Sequence, residues 1–404
     1  MIRYLIAAVA LVCAAPATPQ SLTLGNLKGP IAERSGQPPA GSIKELWSQI
    51  YAIPPKAAPS VELPKIPSNF DTAALLIPAW GSGKVAPSGK PDVVGAFRFS
   101  CRPSHLSYDD PIVYPGQPGA SHLHQFFGNT LANGNSTYAS LRTTGESTCS
   151  NILNRSAYWM PAMMDGKGGV VIPDWMSVYY KRRPASDSEC QRMAKACVQL
   201  PRGLRFVFGY DMQDPGAVPA YALWFNCDGP TAKSGHFKDI VEAAVGCPAG
   251  NRLGATINAP ECWNGKDLDS PDHRSHMAYA RYFPDSGLPR CPATHPYVVP
   301  TFTLSAWYTV DDNLDRSGTW SEARPTWYLS SDRMPGMKPM RPGSTFHSDW
   351  FGAWDDDTLD TWTANCIDKL LDCTAGDLGN GRQLRGGELA VARADPHVVP
   401  VPAR

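Results

Sequence analysis

Three short stretches of the 404-residue chain concentrate side chains that can move protons or hold a cation. The first is His122-Leu123-His124. On a strand, side chains alternate, so both imidazoles would share one face. Such a pair can bind a metal or act as acid and base; it can also be a hydrogen-bonded polar spot at a sheet surface. The second runs from Asp267 to His276, just after Trp263 and Asn264. Asp267, Asp269, Asp272, His273 and His276 can orient a sugar, hold a metal or transfer protons. The plainer alternative is a loop whose Asp side chains cap turns. The His273–His276 spacing suits a helical turn, but Ser270-Pro271-Asp272 predicts a loop, and the Glu that follows the first His of a zinc-protease helix is missing. The third is Phe346 to Trp354, where His347 and Asp349 fall on one face of a strand among Trp350, Phe351 and Trp354. Aromatic rings beside acid and base groups are a way to bind the apolar faces of sugar rings; a hydrophobic strand end with a His–Asp pair is the alternative. His105 and His295 read as structural, and His236 and His397 receive no role.

These stretches need a rigid carrier. Short apolar or aromatic runs recur between turn signals at 94–100, 158–164, 170–180, 204–208, 221–226, 298–308 and 327–330. Phe206-Val207-Phe208 and Thr301-Phe302-Thr303-Leu304 alternate as strands do. No regular helix follows each strand, so a parallel βαβ fold is not expected. The predicted fold is a mainly β, antiparallel, strand-rich single domain, a sandwich or jelly-roll-like body with few short helices and several disulfides. One helix is expected behind Asp355-Asp356-Asp357, whose charge suits a helix N-terminus, with Leu359, Trp362, Cys366 and Leu370 at helical spacing. A second is expected within 186–200.

The start of the chain speaks to compartment. A basic start, an apolar run from Leu5 to Ala15 and Ala15-Pro16-Ala17 read as a secretory signal peptide over residues 1–17. Ten cysteines remain beyond it, an even count that suggests disulfides in an exported chain. Short spacing favours Cys190 with Cys197 and Cys366 with Cys373. Residues 18–92 read as an appendage rich in Pro, Gly and Ser, with a linker at 53–68 and one helix opened by the capping box Ser42-Ile43-Lys44-Glu45. Residues 93–373 form the main body, and 374–404 read as a disordered tail.

Composition excludes some classes. Lys+Arg and Asp+Glu both number 37, so binding of nucleic acid by bulk charge is not expected. No segment is long and apolar enough to span a bilayer. Gly81-Ser82-Gly83-Lys84 is not a phosphate loop, because Pro78 and Val85 break the pattern. There is no Cys-x-x-Cys and no Gly-x-Ser-x-Gly elbow.

Several motifs also carry a likeness. Phe97-Arg98-Phe99-Ser100-Cys101, Asp110-Pro111-Ile112-Val113, Pro115-Gly116, His122-Leu123-His124, the run Cys262 to His276, Cys291-Pro292-Ala293-Thr294-His295-Pro296 and His347-Ser348-Asp349 with Cys366 downstream stand in order. With these, the chain resembles the secreted domain-of-unknown-function family 1996 of fungi and bacteria over roughly 94–373. One departure is Ser348, where the pattern has Gly. The resemblance implies location, not reaction: Asp110, His122, His124, Asp267, Asp269, Asp272, His273, His276, His347 and Asp349 fall inside the motifs.

From the residues, the leading expectation is a secreted, monomeric enzyme cleaving an extracellular or cell-wall polysaccharide. A hydrolase would pair Asp110 with Asp267, Asp269, Asp272 or Asp349 across the scissile bond. A lyase would use His122 or His124 as base, with His276 or His347 as acid or charge stabiliser. Trp263, Asp267, His273, Trp350 and Trp354 are the expected substrate-binding residues. No cofactor is indicated by a motif. The alternative is a secreted metal-binding or glycan-binding wall protein without catalysis, with a divalent metal held by His122, His124 and either His276 or His347 and supported by Asp349; the same ligands with one position open for water would make a metal-dependent hydrolase.

Overall fold

Alternation of inward and outward residues builds two sheets around one core. In a computed structural model, residues 61–79, 87, 94–282, 289–386 and 397–404 are described. All of them belong to the compact unit Pro55–Arg404; the expected signal peptide and the helix near Ser42 lie outside the described residues. Eleven strands form the two large sheets: β1 (Gly95–Cys101), β2 (Pro103–Ser107), β3 (His124–Gly128), β4 (Ala157–Pro161), β5 (Trp175–Arg182), β6 (Arg205–Gly209), β7 (Leu223–Asp228), β8 (Arg252–Asn258), β9 (Thr301–Thr309), β10 (His347–Phe351) and β11 (Asp372–Cys373). One sheet runs β6-β10-β4-β3-β2, the other β7-β8-β9-β5-β1-β11. Every pairing is antiparallel except β1 with β11.

The inner faces meet as a sandwich. Phe302 of β9 packs on Phe206, Phe208 and Trp350 of the other sheet, with ring centroids 6.0, 5.7 and 5.2 Å away. The Tyr158 and Tyr180 hydroxyls meet at 2.9 Å across the core. Burying each such ring stabilises the fold by about 1.5–3 kcal/mol relative to exposure. The outer face of the five-stranded sheet is also covered. There Phe126, Trp159, Val207 and Phe351 pack with Ile112, Tyr138 and Leu141 from the 108–143 segment, which contains helix α1 (Tyr138–Thr143).

Five disulfides staple the chain: Cys101–Cys149, Cys190–Cys197, Cys227–Cys247, Cys262–Cys291 and Cys366–Cys373. The two pairs expected from spacing are among them. Helix α2 (Ser188–Met193) is shorter than expected, because the Cys190–Cys197 bridge turns the chain back into pairing at Ala196–Cys197. Helix α3 spans Ile240–Val245. Helix α4 (Asp356–Trp362) starts where the three aspartates predicted, with Asp355 accepting a bond from the Thr358 N–H.

Two boundaries differ from the expectation. The stretch 61–79 is part of the body: Leu63, Ile66, Phe70, Leu75 and Leu76 anchor it to the core between its prolines. The tail is not structureless where it is described. Arg382–Leu384 pairs with Leu76–Pro78, and Val398–Pro400 pairs with Gly169–Val171. Buried Leu384 and the packing of Val399 against Leu123 and Val170 hold these two short segments. Strand 170–180 is broken into Gly169–Val171 and β5, with Pro173 between.

Candidate functional site

Strand alternation decides which motif residues meet. On β10, His347 and Asp349 point to the outer face, while Trp350 points into the core. On β3, His124 lies on the same outer face as Phe126. Asp349 and Phe126 both pair with Trp159 of β4, so β3 and β10 aim their polar groups at one spot from either side of that strand. His122 precedes β3, and Asp110 arrives from a turn of the covering segment, its carboxylate accepting the N–H groups of Ile112 at 2.9 Å and Val113 at 2.8 Å.

The result is a cluster of five. Ligand atoms of His122, His124 and His347 lie within 4.8 Å of one another, as do those of Asp110, His124 and Asp349. The two sets share His124. Their ring orientations are fixed by acceptors on the far nitrogen. His124 Nδ1 donates to the Asp109 carbonyl at 3.0 Å and His347 Nδ1 to the Thr345 carbonyl at 2.9 Å. The Ser330 hydroxyl gives its proton to the Leu123 carbonyl, so it accepts from His122 Nδ1 at 3.0 Å. In each neutral ring the Nε2 lone pair is then free, the arrangement that orients metal-binding histidines. His122 Nε2 and His347 Nε2 stand 3.2 Å apart. Two lone pairs repel at that distance, yet two nitrogens on one tetrahedral zinc are about 3.3 Å apart.

Burial sharpens the conflict. His124 Nε2 and both carboxylate oxygens of Asp349 are buried with no hydrogen-bond partner among the described residues. Burial, then the neighbouring imidazoles, holds His124 and His347 down at about 3, and burial with His124 holds His122 well below the usual range. Burial pushes Asp110 up to about 6, against the N–H groups that favour its charge. Burial and then Asp110 push Asp349 well above the ordinary carboxylate range, with Arg274 opposing. Neutral imidazoles beside carboxylates whose charge is disfavoured form two overlapping donor sets of the kind that a divalent cation binds.

The cluster opens on a cleft of about 630 Å³, within the usual size of a small-molecule site. Asp110, His122, His347 and Asp349 line it, together with Asp272, His273 and Arg274 of the second motif. That loop docks on the edge of β6 through Arg205 N–H to the Leu268 carbonyl and Val207 N–H to the His273 carbonyl. His273 has φ +59°, left-handed and rare for a residue with a side chain. Its Nδ1 bonds Asp269 at 2.9 Å, and Asp269 in turn accepts from Arg205 Nε at 3.1 Å. A histidine oriented by a carboxylate is a general acid–base arrangement.

Other expected site residues are placed elsewhere. His276 is fully buried with Nδ1 on Ser270 at 2.8 Å and Nε2 on the Arg205 carbonyl at 2.9 Å, so it has no nitrogen left for a metal or a proton. Asp272 lines the cleft but organises its own turn. Although burial works against its charge, the Ser270 hydroxyl and the N–H groups and hydroxyl of Ser275 and Arg274 hold it far below the usual range. Asp267 is exposed outside the cleft and accepts from Asn264. Trp263, Trp350 and Trp354 are buried to 4% exposure or less and present no face to a sugar. Their aromatic size, read as stacking surface, serves the core instead. Sequence reasoning missed Ser330, Thr345, Arg274 and Asp332. Asp332 accepts from Leu329, Gly343 and Thr345 and so shapes the loop that holds His347. Only Arg274, inside the long motif, carried any signal.

The sequence profile of a family described as a domain of unknown function, DUF1996, fits residues 110–354. The match begins at Asp110 and ends at Trp354, enclosing the five-residue cluster and the cleft. No curated protein and no solved structure matches the chain.

Proposed function

Because the chain belongs to the DUF1996 family, whose description assigns no reaction, the chemistry has to come from the cleft, and we propose a metal-dependent hydrolase of extracellular polysaccharide. The observation that supports it best is the convergence of His122, His124 and His347 at a cleft wall, with Asp110 and with Asp349, whose two oxygens have no partner among the described residues, gathered around the same His124. Asp110 and Asp349 do not suit an inverting two-carboxylate glycosidase: one oxygen of each lies within 4.8 Å of the other, short of the ~6.5–9.5 Å that leaves room for a water. A cation held by His122, His124 and His347, with Asp110 or Asp349, would supply a Lewis acid and an activated water. His273, oriented by Asp269, is the group in the same cleft able to carry the proton. Five disulfides, and the absence among the described residues of a helix long and apolar enough to cross a membrane, suit an exported enzyme.

The test is depolymerisation of plant, fungal and bacterial cell-wall glycans by protein stripped with chelator and reloaded with zinc, manganese or cobalt. New reducing ends without unsaturated products are expected from the reloaded protein, and none from the stripped protein or the His122→Ala, His124→Ala variant. Unsaturated products would replace the hydrolase with a lyase. Turnover untouched by chelation and by the variant would overturn the metal role.

A further inference from the structure

A second cavity, of about 510 Å³, adjoins the cleft and shares Tyr114, His122 and Met334 with it. The two differ in charge. Among the described residues, the cleft is lined by five aspartates, whereas the second cavity is lined by Arg333 and Arg404 and by no acidic side chain. Arg333 lies with its guanidinium carbon 4.3 Å from the centre of the Tyr328 ring. Its Nε and one terminal nitrogen are closed to solvent and have no hydrogen-bond partner among the described residues, so a ligand in the cavity would meet the other terminal nitrogen. Arg404 reaches the same cavity, 5.5 Å over Tyr108, and is fixed by bonds to the carbonyls of Gly119 and Ser121. Ser330, which orients the candidate ligand His122, sits in the same single turn as Arg333.

Two guanidinium groups and no acidic side chain among the described lining residues give the cavity an excess of positive charge. A guanidinium N–H makes a strong, charge-assisted hydrogen bond to a carboxylate. Tyrosine rings nearby suit the apolar face of a ring that carries that carboxylate. We infer that this cavity binds the carboxylate of a uronic acid residue, making the substrate an acidic polysaccharide whose adjoining linkage lies at the His122 side of the cleft. This rests on the polysaccharide reading above and narrows it.

The experiment measures binding rather than turnover, on chelator-treated protein, so that a failure of the metal reading leaves it intact. Tetramers of galacturonate, glucuronate and mannuronate are titrated calorimetrically beside neutral cellotetraose and a sulfated carrageenan tetramer. At least one uronate should bind about tenfold or more tighter than the neutral oligomer, with affinity falling as salt rises. Arg333→Met should remove that preference and Arg333→Lys restore part of it, because charge survives without the guanidinium. Thermal melts confirm that each variant is folded, and Arg404→Met provides a second, exposed probe. Equal affinity for neutral and acidic oligomers, no binding by any, a preference for the sulfated oligomer alone, or an unchanged preference in both arginine variants would overturn the proposal. If a uronate binds selectively but no glycan is cut, the hydrolase reading fails while the uronate site stands.

Discussion

The cluster around His124 and the loop from Asp267 to His276 are made of the same two residue types, yet the fold treats them in opposite ways. In the loop, polar atoms are spent on one another. Both His276 nitrogens are bonded, Asp269 is shared between His273 and Arg205, and one Asp272 oxygen takes four donors. In the cluster, each far nitrogen is fixed and each near one is left without a donor, beside a carboxylate with no donor among the described residues. Buried polar groups are normally satisfied. A site that orients its rings carefully and leaves their lone pairs unpaired is built for something that binds there, whereas a loop that satisfies itself is built to hold its shape. His273 is where the two meet: it is oriented by the loop and lines the cleft.

The contrast can be broken by exchanging the effects of mutation. His276→Ala removes a buried ring and leaves Ser270 and the Arg205 carbonyl short of a partner. It should lower unfolding stability by about 2–4 kcal/mol in denaturant titration while leaving metal affinity as in the native chain. Loss of metal with unchanged stability would reverse the assignment of the two regions. Ser330→Ala acts on the other side. It deletes the acceptor that orients His122, leaving the more distant Leu123 carbonyl at 3.3 Å. Metal affinity should fall roughly tenfold, the lower end of the range for such supporting partners, with a melting temperature close to native in the metal-free protein. No change in competition titration would mean that His122 is not held for a ligand.

Asp272→Asn gives the smallest effect and sharpens the comparison through pH. The folded carboxyl is held below its unfolded value, so it contributes stability above the unfolded value, near 4, that is lost as pH falls below it. The amide should therefore cost about 1 kcal/mol near pH 7, a modest sum for an exposed turn, and progressively less as pH falls from 4 toward 2. Equal loss near pH 7 and near pH 2 would show that the turn depends on shape rather than on charge.

The sandwich was legible because its inner residues alternate: Phe206 and Phe208, Phe302 and Leu304, and the residues that follow the β10 pattern. β8 was not, since Arg252–Asn258 holds a glycine and few β-branched residues; a side chain at Gly254 would strike Asn226 and Trp307, so the sheet itself demands the weak signal. Asp110, His122, His124, His347 and Asp349 could be selected from type and spacing. Their separation from His276 and from Trp350 could not. A period of two sends Trp350 into the core beside an outward Asp349, and no spacing rule tells whether a loop histidine finds a carbonyl. Ser330 acts through a side-chain contact across 208 residues, and Thr345 and Asp332 act through backbone groups of one loop, so none leaves a motif.

The most direct measurement is metal content after the purified protein is equilibrated with a mixture of zinc, manganese, cobalt and copper and then freed of excess. The account predicts roughly one ion per chain for the native protein and for His276→Ala, and less than about a tenth for His122→Ala, His124→Ala, His347→Ala, with all three folded by circular dichroism. A native chain that holds no ion, or a triple variant that holds as much as the native one, would contradict it.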